Sequence, residues 1–351
     1  MNITLGPILA LGSALLFGIS TPIAKSLLKE AEPLMLAGLM YLGAGLGLSL
    51  YAVATGDCHR FILFKGLVGK GDWRWLTGAI LTGGMLGPVF LMTGLSSISA
   101  STASLLLTLE GVFTACIAWF AFKEQYDARI VLGMAALTAG AITIAWNGGP
   151  VAGTMQGLLA VVAACLCWGL DNNFTRKISL GDPVRISALK GLTAGGVNTF
   201  LALSLGIPLP PTTFLTATAM LGLVCYGLSL VLFVLSLRHL GASRTGAYFS
   251  LAPFIGTATA VAFLGDLMSW SLVAGGGLMA IGVWLHLTER HEHEHVHDAI
   301  CHSHWHKHDD HHTHEHGPDD SSGQQHQHRH THARLQHCHT HYPDFMHIHP
   351  H

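Results

Sequence analysis

Charge is scarce in this chain. Asp, Glu, Lys and Arg make up 11% of its 351 residues, against roughly 25% in a soluble domain. Half of the residues are hydrophobic and the mean hydropathy is +0.46. That balance excludes a soluble globular body, and the lack of a basic surface excludes nucleic acid as a partner. Cysteine is sparse too. Cys58, Cys116, Cys165, Cys167, Cys225, Cys301 and Cys338 show no framework spacing and lie mostly in apolar stretches, so no disulfide scaffold is expected. No nucleotide loop, nucleophile elbow or zincin spacing occurs, which argues against an enzyme, and no cofactor is required. The opening Met-Asn-Ile-Thr-Leu-Gly-Pro lacks the basic region of a cleaved leader, so the first apolar stretch is expected to remain as a membrane helix.

Long apolar blocks fill the chain up to Glu289-Arg290. Their lengths predict an all-α integral membrane protein with ten spans: roughly 4–24, 33–54, 74–95, 98–122, 128–146, 154–175, 186–206, 213–237, 242–264 and 269–288. Most connections are short, the longest running from Thr55 to Trp73. With their flanks, even-numbered connections hold 12 Lys and Arg, from Arg60 to Arg244, and odd-numbered ones only Lys25 and Lys29. This asymmetry predicts both termini in the cytoplasm; a bacterial inner membrane is the expected location, with the lipid bilayer as a partner.

One sentence of sequence is written twice. Ser97 to Glu124 opens with small residues, runs apolar and ends in an acid. At a constant offset Ala100-Ser101 falls on Ala242-Ser243, Phe113 on Ile255 and Glu124 on Asp266. The first helices match as well: Phe17-Gly18 sets on Trp168-Gly169, and Lys25 then falls on Arg176. Two five-span units follow, 4–146 and 154–288. An odd number of spans inverts the second copy, the design of many secondary transporters. This pattern resembles the drug/metabolite transporter superfamily, EamA type, over roughly residues 4–288. It shares ten helices, an aromatic-Gly pair in each first helix and a small-residue fourth helix, which in the family ends in Gly-Glu and here in Lys123-Glu124 and Gly265-Asp266. The first repeat departs at Leu109-Glu110-Gly111, where the family often places Pro after the Glu. The resemblance implies a carrier of a small organic solute, often outward-moving.

Glu110 stands alone near the middle of the fourth span. A carboxylate there must face protein, water or a partner ion. It is a candidate for proton coupling or for binding a cationic group; otherwise it is a hydrogen-bonded packing residue. Asp171-Asn172-Asn173 cannot all face lipid, and Trp168 lies one turn earlier. For Asp171 the favoured alternative is an interfacial helix end, with Arg176 and Lys177 neutralising it. Lys190, just inside the seventh span, either partners Glu110 or Asp171 or, more commonly, reaches to the interface. Tyr248, Tyr226, Phe249, Trp119 and Asn198 could line a cavity or simply pack. Ser20-Thr21-Pro22 suggests a helix break near that cavity. Gly43-x-x-x-Gly47 predicts a close helix contact within the chain.

The last stretch, 291–351, holds all but His59, His239 and His286 of the 25 His. It has almost no aliphatic content, so a disordered cytoplasmic tail is expected. His291, His293, His295, His297, His302, His304, His306, His308, His311, His312, His314 and His316 are candidate metal ligands. Imidazoles at every second position suit exchangeable binding of Zn²⁺, Ni²⁺, Co²⁺ or Cu²⁺. Three functions remain open: a metabolite exporter with a metal-binding tail, a divalent-metal carrier fed or sensed by the tail, and a membrane-anchored metal store or sensor. The apolar body shows no His at depth, which weighs against a dedicated metal path.

Overall fold

A computed structural model describes residues 5–55, 72–122, 128–146, 153–178 and 182–288, with the backbone of 291–297, 301–306, 326–331 and 335–341. The first group is one helical body and the second a separate unit. Among the described residues the body holds ten helical segments: α1 (Leu5–Leu27), α2 (Pro33–Ala54), α3 (Trp73–Ser97), α4 (Ala100–Phe122), α5 (Ala128–Trp146), α6 (Met155–Ile178), α7 (Pro183–Ser204), α8 (residues 212–249), α9 (Ala252–Leu264) and α10 (Trp270–Leu287). Seven stretches are long and apolar enough to cross a membrane: α1 to α6 and Thr212–Ser236 of α8. α7 has the length, but Arg185, Lys190 and Asn198 dilute its apolar character.

Local signals set the helix ends. Asp182 accepts from the N–H groups of Val184 and Arg185 ahead of Pro183 at the start of α7, and Ser269 accepts from Leu272 N at 3.1 Å to cap α10. Ile98 is extended and the Ser99 hydroxyl accepts from Thr102 N, so α3 stops and α4 begins. At the matching place in the second half the chain reads Leu240-Gly241, without a capping hydroxyl. The helix runs straight through. The spans expected at 213–237 and 242–264 are therefore corrected to 212–249 and 252–264.

Close packing rests on glycine and small hydroxyls. A Cβ on Gly191 would lie 2.7 Å from Gly45 N, so α2 and α7 touch backbone to backbone. Gly43 and Gly47 pack on Ala219 and Leu223 of α8, the contact within the chain that their spacing predicts. Ser13 and Ser229 each donate to the other's backbone carbonyl, at 2.7 and 2.9 Å, joining α1 to α8. Outward faces are apolar: Phe120 is 76% exposed and Phe200 72%, surface suited to lipid. Trp146 and Trp270 sit at helix ends, as interface aromatics do. The molecule is an integral membrane protein.

In the separate unit, β1 (His291–His297) pairs antiparallel with β4 (Leu335–His341), and β2 (Cys301–His306) with β3 (His326–Thr331). The expectation of a tail without regular structure is corrected for these stretches. Alternation of His with other residues carries the two-residue period of a strand. The register sets His291, His293 and His295 opposite His341, His339 and His337, and His302, His304 and His306 opposite His330, His328 and His326. Of the other candidate ligands, His297 lies on β1 opposite Leu335. His308, His311, His312, His314 and His316 lie outside the described residues, as does Glu124.

Candidate substrate and coupling site

Irregular backbone marks the middle of the body. α4 is interrupted at Leu107-Thr108, where Glu110 N bonds Leu107 O at 3.1 Å and Gly111 N bonds Thr108 O at 3.2 Å. Three-residue hydrogen bonds of this kind tighten a helix turn. Glu110 thus falls in the first turn of the segment Leu109–Phe122, where the positive end of the peptide dipoles faces its carboxylate. In α3, residues Ile80–Leu86 form π-helical turns, a deviation that frequently accompanies functional sites.

Side chains from three helices converge here. Asn172 of α6 donates through Nδ2 to Glu110 Oε1 at 2.8 Å and to Thr114 Oγ1 at 3.1 Å. Asn173 Nδ2 donates to the Thr114 and Gly169 carbonyls, at 3.1 and 2.8 Å. Glu110 is half-buried and Asn172 exposed. Asp171 turns the other way and is buried. Lys190 of α7 donates to Asp171 Oδ2, and Thr175 Oγ1 donates to Oδ1 at 3.0 Å. The commoner fate of such a lysine, an interfacial one, is thereby corrected: its amine is held inside by a carboxylate. Two charges buried together in a dry interior avoid the larger cost of either alone.

The π-helical turn of α3 completes this floor. Tyr41 OH and Trp168 Nε1 both donate to the Gly83 carbonyl, at 2.8 and 3.1 Å. A methyl group on Gly83 would overlap the Asp171 carboxylate. Above it lies a ring set: Phe17 stands edge-on to Trp168 at 6.3 Å and to Tyr226 at 5.7 Å, with Phe249 at 5.3 Å, and Tyr41 meets Tyr226 at 5.6 Å.

Of the predicted site residues, Glu110, Asn172, Asp171, Lys190 and Trp168 come together. Tyr248 does not join the ring contacts among the described residues; its neighbour Phe249 holds that place. Asn198 reaches the end of the π-helical turn, donating to Met85 O at 3.2 Å. Sequence reading missed Tyr41, Thr114 and Gly83. The Gly83-Gly84 pair inside an apolar span was the one available signal.

The family model described as the EamA-like transporter family matches residues 4–146 and again 155–288. An "Uncharacterized transporter" of Methanothermobacter thermautotrophicus is 26% identical over 296 residues, covering 80% of this chain and 85% of that protein. A "Probable amino-acid metabolite efflux pump" of Salmonella typhimurium is 24% identical over 307 residues, covering 80% and 93%. A solved crystal structure shares the fold with a TM-score of 0.60 at 18% identity, over 80% of this chain and 94% of that one. The chain is a transporter and not an enzyme; it belongs to the EamA-like transporter family.

Proposed function

We propose that this protein is a secondary-active exporter of a small metabolite, working by alternating access between two inverted five-helix repeats. The observation that carries the reading is Glu110: an ionisable group at an interruption of α4, bound by Asn172 of α6 from the other repeat. Discontinuous helices at a repeat interface are where carriers place substrate and coupling ions.

Four features support the repeat. At the offset that sets Ala100 on Ala242, the π-helical Ile80–Leu86 falls on the π-helical Gly222–Leu228. The interruption at Leu107-Thr108 falls within one residue of the turn at Ser250-Leu251. Gly18 of α1 packs on Ala252 and Ile255 of α9, while Gly169 of α6 packs on Phe113 and Thr114 of α4, the same contact exchanged between copies. Phe17 and Trp168, which align, touch each other, as equivalent residues beside a two-fold axis do. All ten segments would then span, with even-numbered connections, both termini and the tail in the cytoplasm.

The efflux pump among the relatives makes amino acids and their derivatives the first solutes to try. Asp171–Lys190 would carry the opposed charges such zwitterions need, with Glu110 as the coupling acid and Trp168 as a wall. The test is a transport screen in vesicles with organic solutes and divalent metals side by side. Saturable, proton-driven movement of one organic solute, lost on Glu110→Gln, is the expected result; movement of metals alone would replace this reading with the metal carrier. The tail, on this reading, binds divalent transition metal as a responsive appendage. Its favouring observation is the register that sets six His opposite six others.

A further inference from the structure

We propose that Lys25 and Asp266 form a latch that closes the passage at the end of the odd-numbered connections, and that the α1–α4–α9 seam beneath it is the stretch of passage it seals. The proposal rests on the alternating-access reading above. Its evidence is the turn between α3 and α4, where the last carbonyls of one helix and the first N–H groups of the next meet. Lys25 Nζ donates to Leu95 O at 2.7 Å and to Ser96 O at 3.3 Å. Asp266 Oδ2 accepts from Ser101 N at 2.8 Å. Each charge therefore sits on the helix end of opposite polarity, Lys25 within its own repeat and Asp266 across to the other. They arrive from different halves of the chain, Lys25 at the end of α1 and Asp266 just past α9. Gly265, at φ +70°, supplies the left-handed turn that leads from α9 to Asp266.

Under the latch the seam is closed but imperfectly bonded. Thr257 of α9 donates to Ser101 O at 3.2 Å. One turn deeper, the Ser104 hydroxyl is buried without a hydrogen-bond partner among the described residues. It borders a small void with Phe17, Thr21, Leu107 and Pro253. Leaving a buried hydroxyl unpaired costs about 1–3 kcal/mol, a cost relieved once water or solute enters. The void leads toward Phe17 and the ring set, so an opened seam would connect the Glu110 site to the odd-connection side. Only the Asp266–Ser101 and Thr257–Ser101 bonds on this path cross from one repeat to the other among the described hydrogen bonds.

The test is reactivity of Ser104→Cys toward a membrane-impermeant maleimide added on the side opposite the tail, with labelling of the native cysteines subtracted. Losing one charge-assisted bond to a helix end should speed labelling roughly tenfold in Asp266→Asn and in Lys25→Met. Asp266→Glu and Lys25→Arg should return it toward the parent rate. Unchanged labelling in both charge-removed variants, each folded and monodisperse, would overturn the latch. Should Asp266→Asn fail to fold, the Lys25→Met and Lys25→Arg pair decides alone. Labelling needs no substrate, so the latch and the Glu110 site can fail separately: faster labelling together with a Glu110→Gln variant that transports as well as the parent keeps the first and discards the second.

Discussion

Replacing Glu110 by Gln leaves an oxygen within reach of Asn172 Nδ2, now 2.8 Å from Oε1, and removes the charge. The fold should survive, with a melting temperature in detergent close to the parent's. Proton-driven transport should fall roughly tenfold or more, the size of one charge-assisted contact. Gly83 tests the other half of the site. An added methyl would overlap the Asp171 carboxylate, so Gly83→Ala should destabilise by about 1–3 kcal/mol through overpacking. Gly111→Ala meets nothing within 4 Å and should stay within about 1 kcal/mol of the parent. Chemical or thermal unfolding of the two variants separates a packed glycine from an idle one. Glu110, Asp171 and Lys190 were legible in the sequence because charge inside an apolar span stands out. Tyr41 and Gly83 were not. A tyrosine among apolar residues looks like packing, and a backbone carbonyl that accepts two hydrogen bonds leaves no mark in its residue type.

At the scale of the element, length and polarity revealed most of the helices, and the failures have particular causes. The boundary expected between Leu237 and Ala242 followed the match of Ala242-Ser243 to Ala100-Ser101, where α4 begins, yet α8 continues to Phe249. Polar residues end a span only if something also receives the freed backbone groups, as Ser99 does for α4. Ser99→Ala should therefore cost about 1 kcal/mol. It should also loosen the α3–α4 turn, read as faster amide exchange at Ala100–Thr102 than elsewhere in α4. The π-helical turns at Ile80–Leu86 and Gly222–Leu228 left no periodic signal. Their agreement between copies becomes visible only when the two halves are overlaid at the offset their fourth helices define.

At the scale of the whole molecule, two compositions meet near Glu289, and the chain divides there into separately packed units. Within the body, α10 is tied to α5 by Arg129 donating to Thr288 O at 2.9 Å and by His286 beside Ile130 O. Ending the chain at Glu289 should therefore leave the fold and organic-solute transport intact. It should abolish most Zn²⁺ or Ni²⁺ uptake by the purified protein in equilibrium dialysis. The cross-strand register adds a sharper expectation. Because His337, His339 and His341 lie opposite His295, His293 and His291 in the strand register, imidazoles from both halves of the tail should act in pairs. Changing only the six His of β3 and β4 to Gln should then remove far more than half of the tight metal sites, since each loses one of two nearby ligands. Loss of half the sites at unchanged affinity would mean that each stretch binds metal independently. Cellular metal content, compared between full-length and shortened chains that transport organic solute equally, then separates a regulatory tail from one that feeds the carrier.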